Sequence, residues 1–327
     1  MHSVTIEGSG HQFICEDGES VLEAALRSGI TLRYGCNNGS CGDCEARLIS
    51  GNTIPTRHSD FVPSKAARAA GCFLTCANTA SSDLVIAANE PGSADELPEQ
   101  SIVARPSRME HLEHGITRLL LRTPRTQTLR FLAGQWVTLR CEDGLSTGAH
   151  VASCPCNGMQ LEFFIQASAH KTFHERLSAL GKKPAQLTVE GPHGEYLFDD
   201  DGHGPLLFIA HMEGFAACKS LIEHAFALDW PDPIEFIWIT EADAPQRMIN
   251  LLRAWHDALE GFDYEIVPPQ AIAPTLGMSL RRLEDATETH AEGPVTVFVA
   301  ADINAADIIS ESARIIPLPF PPADRQA

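Results

Sequence analysis

The chain has 327 residues, enough for two or three domains, and 44% of them are apolar, which supplies ordinary hydrophobic cores. Its net charge of −19 at pH 7 excludes nucleic acid and anionic membranes as favourable partners. Residues 201–327 alone hold seven Lys and Arg against twenty Asp and Glu, a net charge of −13. No apolar run approaches the roughly 20 residues of a membrane span, and no signal peptide precedes the first strand pattern. We therefore expect a cytoplasmic protein.

The N-terminal segment has the pattern of a small mixed fold. Val4–Ile6 and Gln12–Ile14 alternate as strands do, on either side of a Gly-rich turn. Ser20–Glu23 has the form of a capping box that opens a helix. Further strands are predicted at Ala46–Ile49 and Leu84–Ile86. Strands packed on a single helix indicate a β-grasp arrangement.

Four cysteines form the most informative pattern in the chain, with the spacing C-x4-C-x2-C-x31-C. They are Cys36, Cys41, Cys44 and Cys76. This is the ligand spacing of plant-type [2Fe-2S] clusters, which four thiolates hold. Glycines between the first three cysteines allow the backbone to fold around the inorganic core and to direct N–H groups at its sulfur atoms. The pattern therefore predicts one-electron transfer.

Structural zinc and disulfides are the competing interpretations of these cysteines. Zinc sites usually contain two C-x2-C pairs, whereas here only Cys41 and Cys44 form one, so a cluster is favoured. Disulfides would suit a secreted chain, for which the sequence carries no signal. The run Cys154-Pro155-Cys156 lacks further ligands, and we do not expect it to bind metal. The remaining cysteines are expected to be free thiols: Cys15, Cys72, Cys141, Cys154, Cys156 and Cys218.

A linker and two further domains follow. Residues 91–100 are rich in Pro, Gly, Ser and acidic residues, which is typical of a solvated linker. Regularly spaced short strands then predict an antiparallel β-barrel, and apolar runs that alternate with helices predict a parallel α/β sheet. The predicted strands are 117–121, 135–139, 161–165, 187–190, 206–210, 234–239 and 295–299, and the predicted helices are 216–228, 246–259 and one after the last strand.

The order of these domains resembles a known family. Residues 3 to about 88 resemble the plant-type ferredoxin domain of bacterial oxygenase reductases, in which the four cysteines hold the cluster. The remainder resembles the ferredoxin-NAD(P)+ reductase superfamily as fused in benzoate dioxygenase, phenol hydroxylase and methane monooxygenase reductases. Ala133–Gln135 and Glu190–Gly194 carry this second resemblance. It implies that NADH passes hydride to a flavin, which delivers single electrons to the cluster.

The expected fold is therefore a series of three domains. A β-grasp [2Fe-2S] ferredoxin domain covers residues 1–90, and the linker covers residues 91–100. An antiparallel β-barrel that resembles a flavin domain covers residues 101–200. A degenerate α/β domain with a parallel sheet, which resembles an NAD-binding domain, covers residues 201–327.

The flavin motif of the family is altered in this chain. Family members carry R-x-Y-S, and the resemblance assigns the Arg to the flavin phosphate, the Tyr to the ring face and the Ser to a ring hydrogen bond. Thr147–His150 stands at those positions. Ala169–Thr172 resembles the family's phosphate-contacting G-x-x-[ST] helix start, with Lys171 as the local cation. A helix N-terminus can bind an anion, so an unusual FAD or FMN site stays open beside the simpler interpretation that Thr172 caps its helix.

The nucleotide motifs are altered as well. His211–Gly214 replaces G-G-T-G, Trp238–Glu241 replaces W-G-A-R, Ala300–Asp302 replaces C-G-P, and Pro317–Pro322 replaces the usual aromatic-bearing C-terminus. Glu213 would face a pyrophosphate, and two like unit charges ~4 Å apart repel by about 4 kcal/mol at an effective dielectric constant near 20. Glu241 replaces the Arg of the second motif by an acid. We therefore do not expect NAD(P)H to bind. His150 and His211 are expected to pack or to form hydrogen bonds.

These observations favour a one-electron carrier whose reductase-like module is a scaffold or docking surface. It would relay electrons between a separate reductase and an acceptor such as an oxygenase or hydroxylase. One alternative is a flavin-dependent NAD(P)H reductase with divergent cofactor sites. Another is a regulatory or assembly subunit whose cluster senses redox state or stabilises the fold. The lack of Arg and Tyr in residues 141–175 and the altered Gly run at 211–214 favour the carrier over the first alternative. A measured reduction potential of the cluster would test the second alternative.

Overall fold

The computed structural model contains three main sheets in the order that the sequence predicts. The first sheet is mixed, the second is antiparallel and the third is parallel. No helix in the part of the chain that the structure describes is long and apolar enough to cross a membrane. The described residues are 1–28, 30, 32–34, 38–90, 97, 99–124, 128–155, 158–180, 186–195, 197–200, 202–241, 244–289, 293–301 and 313–325.

The N-terminal domain is a sheet packed on one helix, which confirms the β-grasp prediction. Its elements are β1 (His2–Ile6), β2 (Gln12–Cys15), α1 (Val21–Arg27), β3 (Glu45–Ser50), β4 (Thr53–Pro55), α2 (Lys65–Ala69), β5 (Cys72–Leu74), β6 (Asn78–Ala80) and β7 (Leu84–Ala87). The strand order is β2-β1-β7-β3-β5. The predicted capping box is formed, because Ser20 Oγ accepts the N–H of Glu23 at 3.2 Å and the Glu23 carboxylate accepts the N–H of Ser20 at 3.0 Å.

The second domain is a nearly closed antiparallel sheet. Its elements are β8 (Gln100–Leu112), β9 (Ile116–Arg122), β10 (Trp136–Arg140), β11 (Ser146–His150), β12 (Gln160–Gln166), α3 (Lys171–Leu180) and β13 (Leu187–His193). The strand order is β11-β10-β13-β8-β9-β12. The N–H of Ala152, just after β11, donates to Glu162 O in β12 at 2.8 Å, which brings the two end strands together. Alternate residues of the strands fill one core with Leu119, Val137 and Phe163.

The third domain is a parallel sheet between helices. Its elements are β14 (Leu206–Ala210), α4 (Phe215–Ala227), β15 (Ile234–Ile239), α5 (Gln246–Ala258), β16 (Phe262–Val267), α6 (Ile272–Thr289), β17 (Thr296–Ala300) and β18 (Arg314–Pro317). The strand order is β16-β15-β14-β17-β18, and neighbours pair in parallel. The sequence did not predict β16, α6 or β18. The helix predicted after residue 299 falls on residues 302–312, outside the described part of the chain.

Buried charges join the barrel to the parallel domain. Lys219 in α4 is 5% exposed, and its Nζ lies 2.9 Å from Glu162 in β12 and 2.6 Å from Glu223. Arg118 in β9 also pairs with Glu162. Burial alone would raise the pKa of Glu162, but Lys219 and Arg118 outweigh burial and hold this pKa below its ordinary value. Glu162 therefore stays ionised, and the Lys219 ammonium group links the two domains, whereas burial raises the pKa of Glu223 on the other side of this group.

Lys219→Met should lower the free energy of unfolding by about 3 kcal/mol, because it keeps the side-chain volume but removes the cation beside the buried Glu162 and the partly buried Glu223. Urea unfolding at pH 7, followed by circular dichroism, measures the change. The control is Arg176→Met, which removes an exposed pair with Asp143 at 2.9 Å and should cost less than about 1 kcal/mol. Equal effects of the two variants would contradict this role of Lys219.

Candidate functional site

Two glycines shape the loop that carries the first cysteines. Gly39 and Gly42 have φ angles of +84° and +86°, in the left-handed region that favours glycine. A Cβ placed on Gly42 would lie 2.5 Å from the ring of Phe61. The N–H of Phe61 also donates to Gly39 O at 2.9 Å, so the segment around Phe61 covers the loop. Both positions therefore require glycine.

Cys44 and Cys76 face each other in a buried position. Cys44 is 3% exposed and Cys76 is 1% exposed. Their Sγ atoms lie 3.2 Å apart without a disulfide. The carbonyl of Cys44 accepts hydrogen bonds from the N–H and the hydroxyl of Thr75, each at 3.1 Å, which fixes the 3-10 turn that carries Cys76. Two sulfur donors are thus arranged as ligands of a common metal atom would be.

Cys41 lies at the surface of the loop. It is exposed, and its Sγ accepts the N–H of Asp43 at 3.4 Å. Cys36 lies outside the described residues, and among the described residues no three potential metal ligands come together. The buried sulfur pair, the thiolate chemistry of the donors and the N–H group directed at Cys41 fit a [2Fe-2S] cluster.

The strand at the flavin-motif positions is buried beneath the C-terminal segment of the same chain. All residues of β11 are buried. The segment Pro319–Arg325, called the tail below, runs along this strand. Gly148 N–H donates to Pro322 O at 3.0 Å, and Ser146 and Arg325 exchange two backbone hydrogen bonds of 2.9 and 2.8 Å. A Cβ placed on Gly148 would lie 2.7 Å from Pro322 Cδ, so the strand and the tail are in direct contact.

His150, at the end of β11, connects the barrel to the tail. Its Nδ1 lies 3.0 Å from Gly134 O, and its Nε2 lies 3.1 Å from Pro319 O. Burial lowers the pKa of His150 to about 4, and the hydrogen bonds to the two carbonyls oppose that shift without overcoming it. At pH 7 the ring is therefore neutral and has one N–H, which serves one carbonyl at a time. His150 is a buried hydrogen-bonding residue, as its sequence context predicts.

The tail also reaches the N-terminus of α3. This helix begins at Lys171, so Thr172 lies inside its first turn and not at the cap position that the sequence suggested for it. The N–H of Phe173 donates to Asp324 Oδ2 at 3.0 Å. The Asp324 side chain is 16% exposed and lies 3.8 Å from His170 Nδ1. A carboxylate of the chain thus occupies the end of the helix that favours anions.

A groove of about 670 Å³ opens where the central parallel strands end. Its wall includes His211 and Glu213 after β14, Glu241 after β15, and Phe320 of the tail. This edge of a parallel sheet is where ligands of α/β proteins usually bind. The described lining carries two carboxylates and neither Lys nor Arg. Asp302, which the sequence placed in the last altered motif, lies outside the described residues.

Comparison with known proteins agrees with this geometry. Residues 4–81 match the family model described as the 2Fe-2S iron-sulfur cluster binding domain. The chain is 27% identical over 289 residues to terephthalate 1,2-dioxygenase, reductase component 1, of Comamonas sp., which covers 88% of this chain and 85% of the relative. The chain is a ferredoxin domain fused to a reductase-like module.

One further sequence relative and one solved structure are also similar to this chain. The chain is 28% identical over 221 residues to CDP-6-deoxy-L-threo-D-glycero-4-hexulose-3-dehydrase reductase of Yersinia pestis, over 68% of this chain and 66% of the relative. The ferredoxin reductase in carbazole 1,9a-dioxygenase has the same fold, with a TM-score of 0.52 and 20% identity over 97% of this chain and 98% of that one. The ferredoxin domain, the barrel and the parallel sheet therefore follow the architecture expected from the sequence.

The contact of the tail with the flavin positions is the feature that sequence reasoning missed. The sequence showed that Pro317–Pro322 replaces the family's aromatic C-terminus, but it did not show that this segment packs against β11. The other expected free thiols in the described residues, Cys15, Cys72, Cys141, Cys154 and Cys218, form no disulfide, and Cys156 lies outside those residues.

Replacing any one cluster cysteine by serine should bleach or destabilise the ferredoxin domain, because a stable site needs all four thiolates. The variants are Cys36→Ser, Cys41→Ser, Cys44→Ser and Cys76→Ser. Iron and sulfide content and the EPR spectrum of the reduced protein measure the effect. Cys72→Ser is the matched control in the same domain and should retain the cluster. Full iron content with an unchanged EPR signal in Cys76→Ser would overturn the ligand assignment.

Proposed function

We propose that this protein is a one-electron carrier whose [2Fe-2S] cluster is held by Cys36, Cys41, Cys44 and Cys76. It relays electrons between a separate reductase and an acceptor such as an oxygenase or hydroxylase, and its reductase-like module is a scaffold or docking surface. The observation that carries this proposal is the burial of β11 beneath the tail, because the flavin positions are filled by protein. The proposed setting is the cytoplasm, without a nucleic-acid partner.

The cysteines have distinct tasks in this proposal. The buried pair Cys44 and Cys76, whose sulfur atoms are 3.2 Å apart, would hold one iron atom away from water. Cys41 and Cys36 would hold the other iron atom nearer the surface. The N–H of Asp43 at Cys41 Sγ stabilises negative charge on that sulfur and so favours the reduced state. The cluster supplies one-electron chemistry, and the exposed loop brings its edge to a partner.

The reductase-like module does not take hydride in this proposal. Thr147–His150 stands at the family's R-x-Y-S motif, and two residues of this segment, Gly148 and His150, are engaged with the tail. Glu213 and Glu241 lie in the groove where a nucleotide would bind, and their charge opposes a pyrophosphate. The proposal also includes the domain limits expected from the sequence, with a ferredoxin domain at 1–90, a linker at 91–100, a barrel at 101–200 and an α/β domain at 201–327.

The second candidate is a flavin-dependent NAD(P)H reductase, and the relatives support it. Both curated relatives described above are named as reductases, and the chain matches 85% of the length of one of them. For this chain to act in that way, the tail must leave β11 before a flavin can enter. The third candidate is a regulatory or assembly subunit, and the reduction potential of the cluster separates it from the carrier. The cluster of a carrier must have a potential at which a reductase can reduce it, whereas a purely structural cluster need not be reducible.

The purified protein should contain iron and sulfide but little flavin, and it should oxidise NADH or NADPH no faster than a protein-free control. The reasons are the covered β11 strand and the acidic groove. Acid extraction followed by flavin fluorescence measures the flavin, and the loss of NADH or NADPH absorbance measures the oxidation. Stoichiometric FAD or FMN with NADH-driven reduction of the cluster would establish the second candidate instead.

Reduction of the cluster by a cognate reductase should slow as ionic strength rises. Asp43 and Glu45 are exposed beside the ligand loop, and the parallel domain is strongly acidic. A basic partner would be steered to this surface until salt screens charges beyond ~10 Å at 0.1 M. Asp43→Lys should slow reduction further at low salt, which stopped-flow absorbance measures. Glu7→Lys, an exposed change at the end of β1, is the control. Rates independent of salt in both the wild type and Asp43→Lys would argue against charge-guided docking.

A further inference from the structure

A cavity of about 280 Å³ opens at the amino edge of the parallel sheet, opposite the groove at its carboxyl edge. Leu206, the first residue of β14, lines this cavity, whereas His211, directly after the same strand, lines the groove. The five residues of β14 separate the two places by about 15 Å, at roughly 3.3 Å per residue. The cavity therefore lies outside the positions where the family resemblance places flavin and nucleotide.

Aromatic side chains form the inner wall of this cavity. Phe198 stacks on Phe298 with ring centroids 5.9 Å apart, and Trp230 meets Phe198 edge to face at 5.4 Å. Leu206 and Ile316, which are both buried, add to the apolar lining. Because a cavity of about 150 Å³ accepts benzene, this larger one has room for a phenyl ring with a short polar head group.

The rim of the cavity is held in place by contacts of the backbone. Trp230 Nε1 donates to Gly204 O at 3.1 Å, and Trp230 N–H donates to Ala225 O at 3.0 Å. Gly204 and Gly293 have φ angles of +108° and +130°, and a Cβ placed on Gly204 would lie 2.7 Å from Pro294 O. Two turns thus pack backbone against backbone. The site is formed before any ligand enters, which lowers the entropic cost of binding.

Two opposite charges stand at the mouth of the cavity. Arg314 Nη1 lies 3.9 Å from Asp199 Oδ2, and the two side chains are 57% and 61% exposed. This separation exceeds that of a direct charge-assisted hydrogen bond, about 2.8 Å, so each group can accept another partner. Among the described residues of the wall, these two carry the formal charges at pH 7. The mouth therefore offers a cation to a carboxylate and an anion to an ammonium group.

The charge of the surroundings selects among the possible head groups. Residues 201–327 have a net charge of −13, which disfavours an anionic ligand. Arg314 at the mouth disfavours a ligand with positive charge alone. A zwitterion has no net charge and satisfies both side chains of the mouth. An aromatic α-amino acid combines such a head group with an apolar ring.

We infer that this cavity is a binding site for a free aromatic α-amino acid. The ring lies against Phe198 and Trp230, the carboxylate pairs with Arg314, and the ammonium group pairs with Asp199. The described residues of the wall all belong to the segment 197–316, outside the ferredoxin domain. The inference therefore holds whether the protein is a carrier or a reductase.

The experiment titrates L-phenylalanine into the full chain at pH 7, followed by isothermal titration calorimetry. The dissociation constant should be at or below about 1 mM, which suits a ligand of this size. Three further ligands each lack one feature: L-alanine lacks the ring, 3-phenylpropionate lacks the ammonium group, and 2-phenylethylamine lacks the carboxylate. Each should bind at least about tenfold more weakly, because it loses either the buried ring or one charge-assisted contact.

Two variants assign the ends of the head group. Arg314→Gln should weaken the binding of L-phenylalanine at least about fivefold without weakening that of 2-phenylethylamine, which has no carboxylate. Asp199→Asn should weaken L-phenylalanine to a similar extent without weakening 3-phenylpropionate. Both side chains are exposed, so neither change should unfold the protein. Arg281→Gln removes an exposed cation of the same domain away from the cavity and is the matched control, with unchanged binding.

The outcomes decide the inference without reference to the cluster. A folded full chain that binds no L-phenylalanine up to about 10 mM would overturn it. Binding of 3-phenylpropionate or of 2-phenylethylamine as tight as that of L-phenylalanine would overturn the zwitterion assignment, and so would L-phenylalanine binding that neither variant changes. If circular dichroism shows that a variant is unfolded, the four ligands decide the matter on the unchanged protein. Flavin content and cluster reduction, which test the proposed function, are measured separately.

Discussion

The return of the C-terminal segment from the parallel sheet to the barrel is the constraint on which the reductase-like module depends. β18 ends at the edge of the parallel sheet, and the tail then pairs with β11, the end strand of the barrel sheet. The same few residues therefore saturate the free edge of one domain and connect it to the other. The tail contact and the buried ion pairs of Lys219 therefore both join the barrel to the parallel domain.

Negative charge is concentrated at two places in the protein, the loop around Cys41 and the groove of the parallel domain. Around Cys41 the exposed surface carries Asp43 and Glu45, and in the proposed function this surface would meet a basic redox partner. In the parallel domain the same sign of charge lines the groove where a nucleotide would otherwise approach. In the proposed function, acidic side chains would therefore attract a basic protein partner at the loop and repel an anionic nucleotide at the groove.

Local signals in the sequence were sufficient wherever neighbouring residues determine the structure. The capping box at Ser20, the alternating barrel strands and the buried runs of β14 and β15 were predicted from them. β16 and β18 were missed because they lie at the edges of the sheet, where the middle residues of β16 are only half buried and β18 has four residues. Because an edge strand is less buried than a central strand, it needs a shorter run of apolar residues. Its hydrophobic pattern is therefore harder to recognise in the sequence.

The sequence by itself determined the kind of cofactor chemistry and the loss of the flavin and nucleotide motifs, because ligand spacing and side-chain identity are properties of short segments. Only the tertiary structure decided that Cys44 and Cys76 are buried and that the tail covers β11. His150 and Pro319 are 169 residues apart in the chain, and Phe173 and Asp324 are 151 apart. Contacts at such separations arise from the packing of whole domains, which no local pattern encodes.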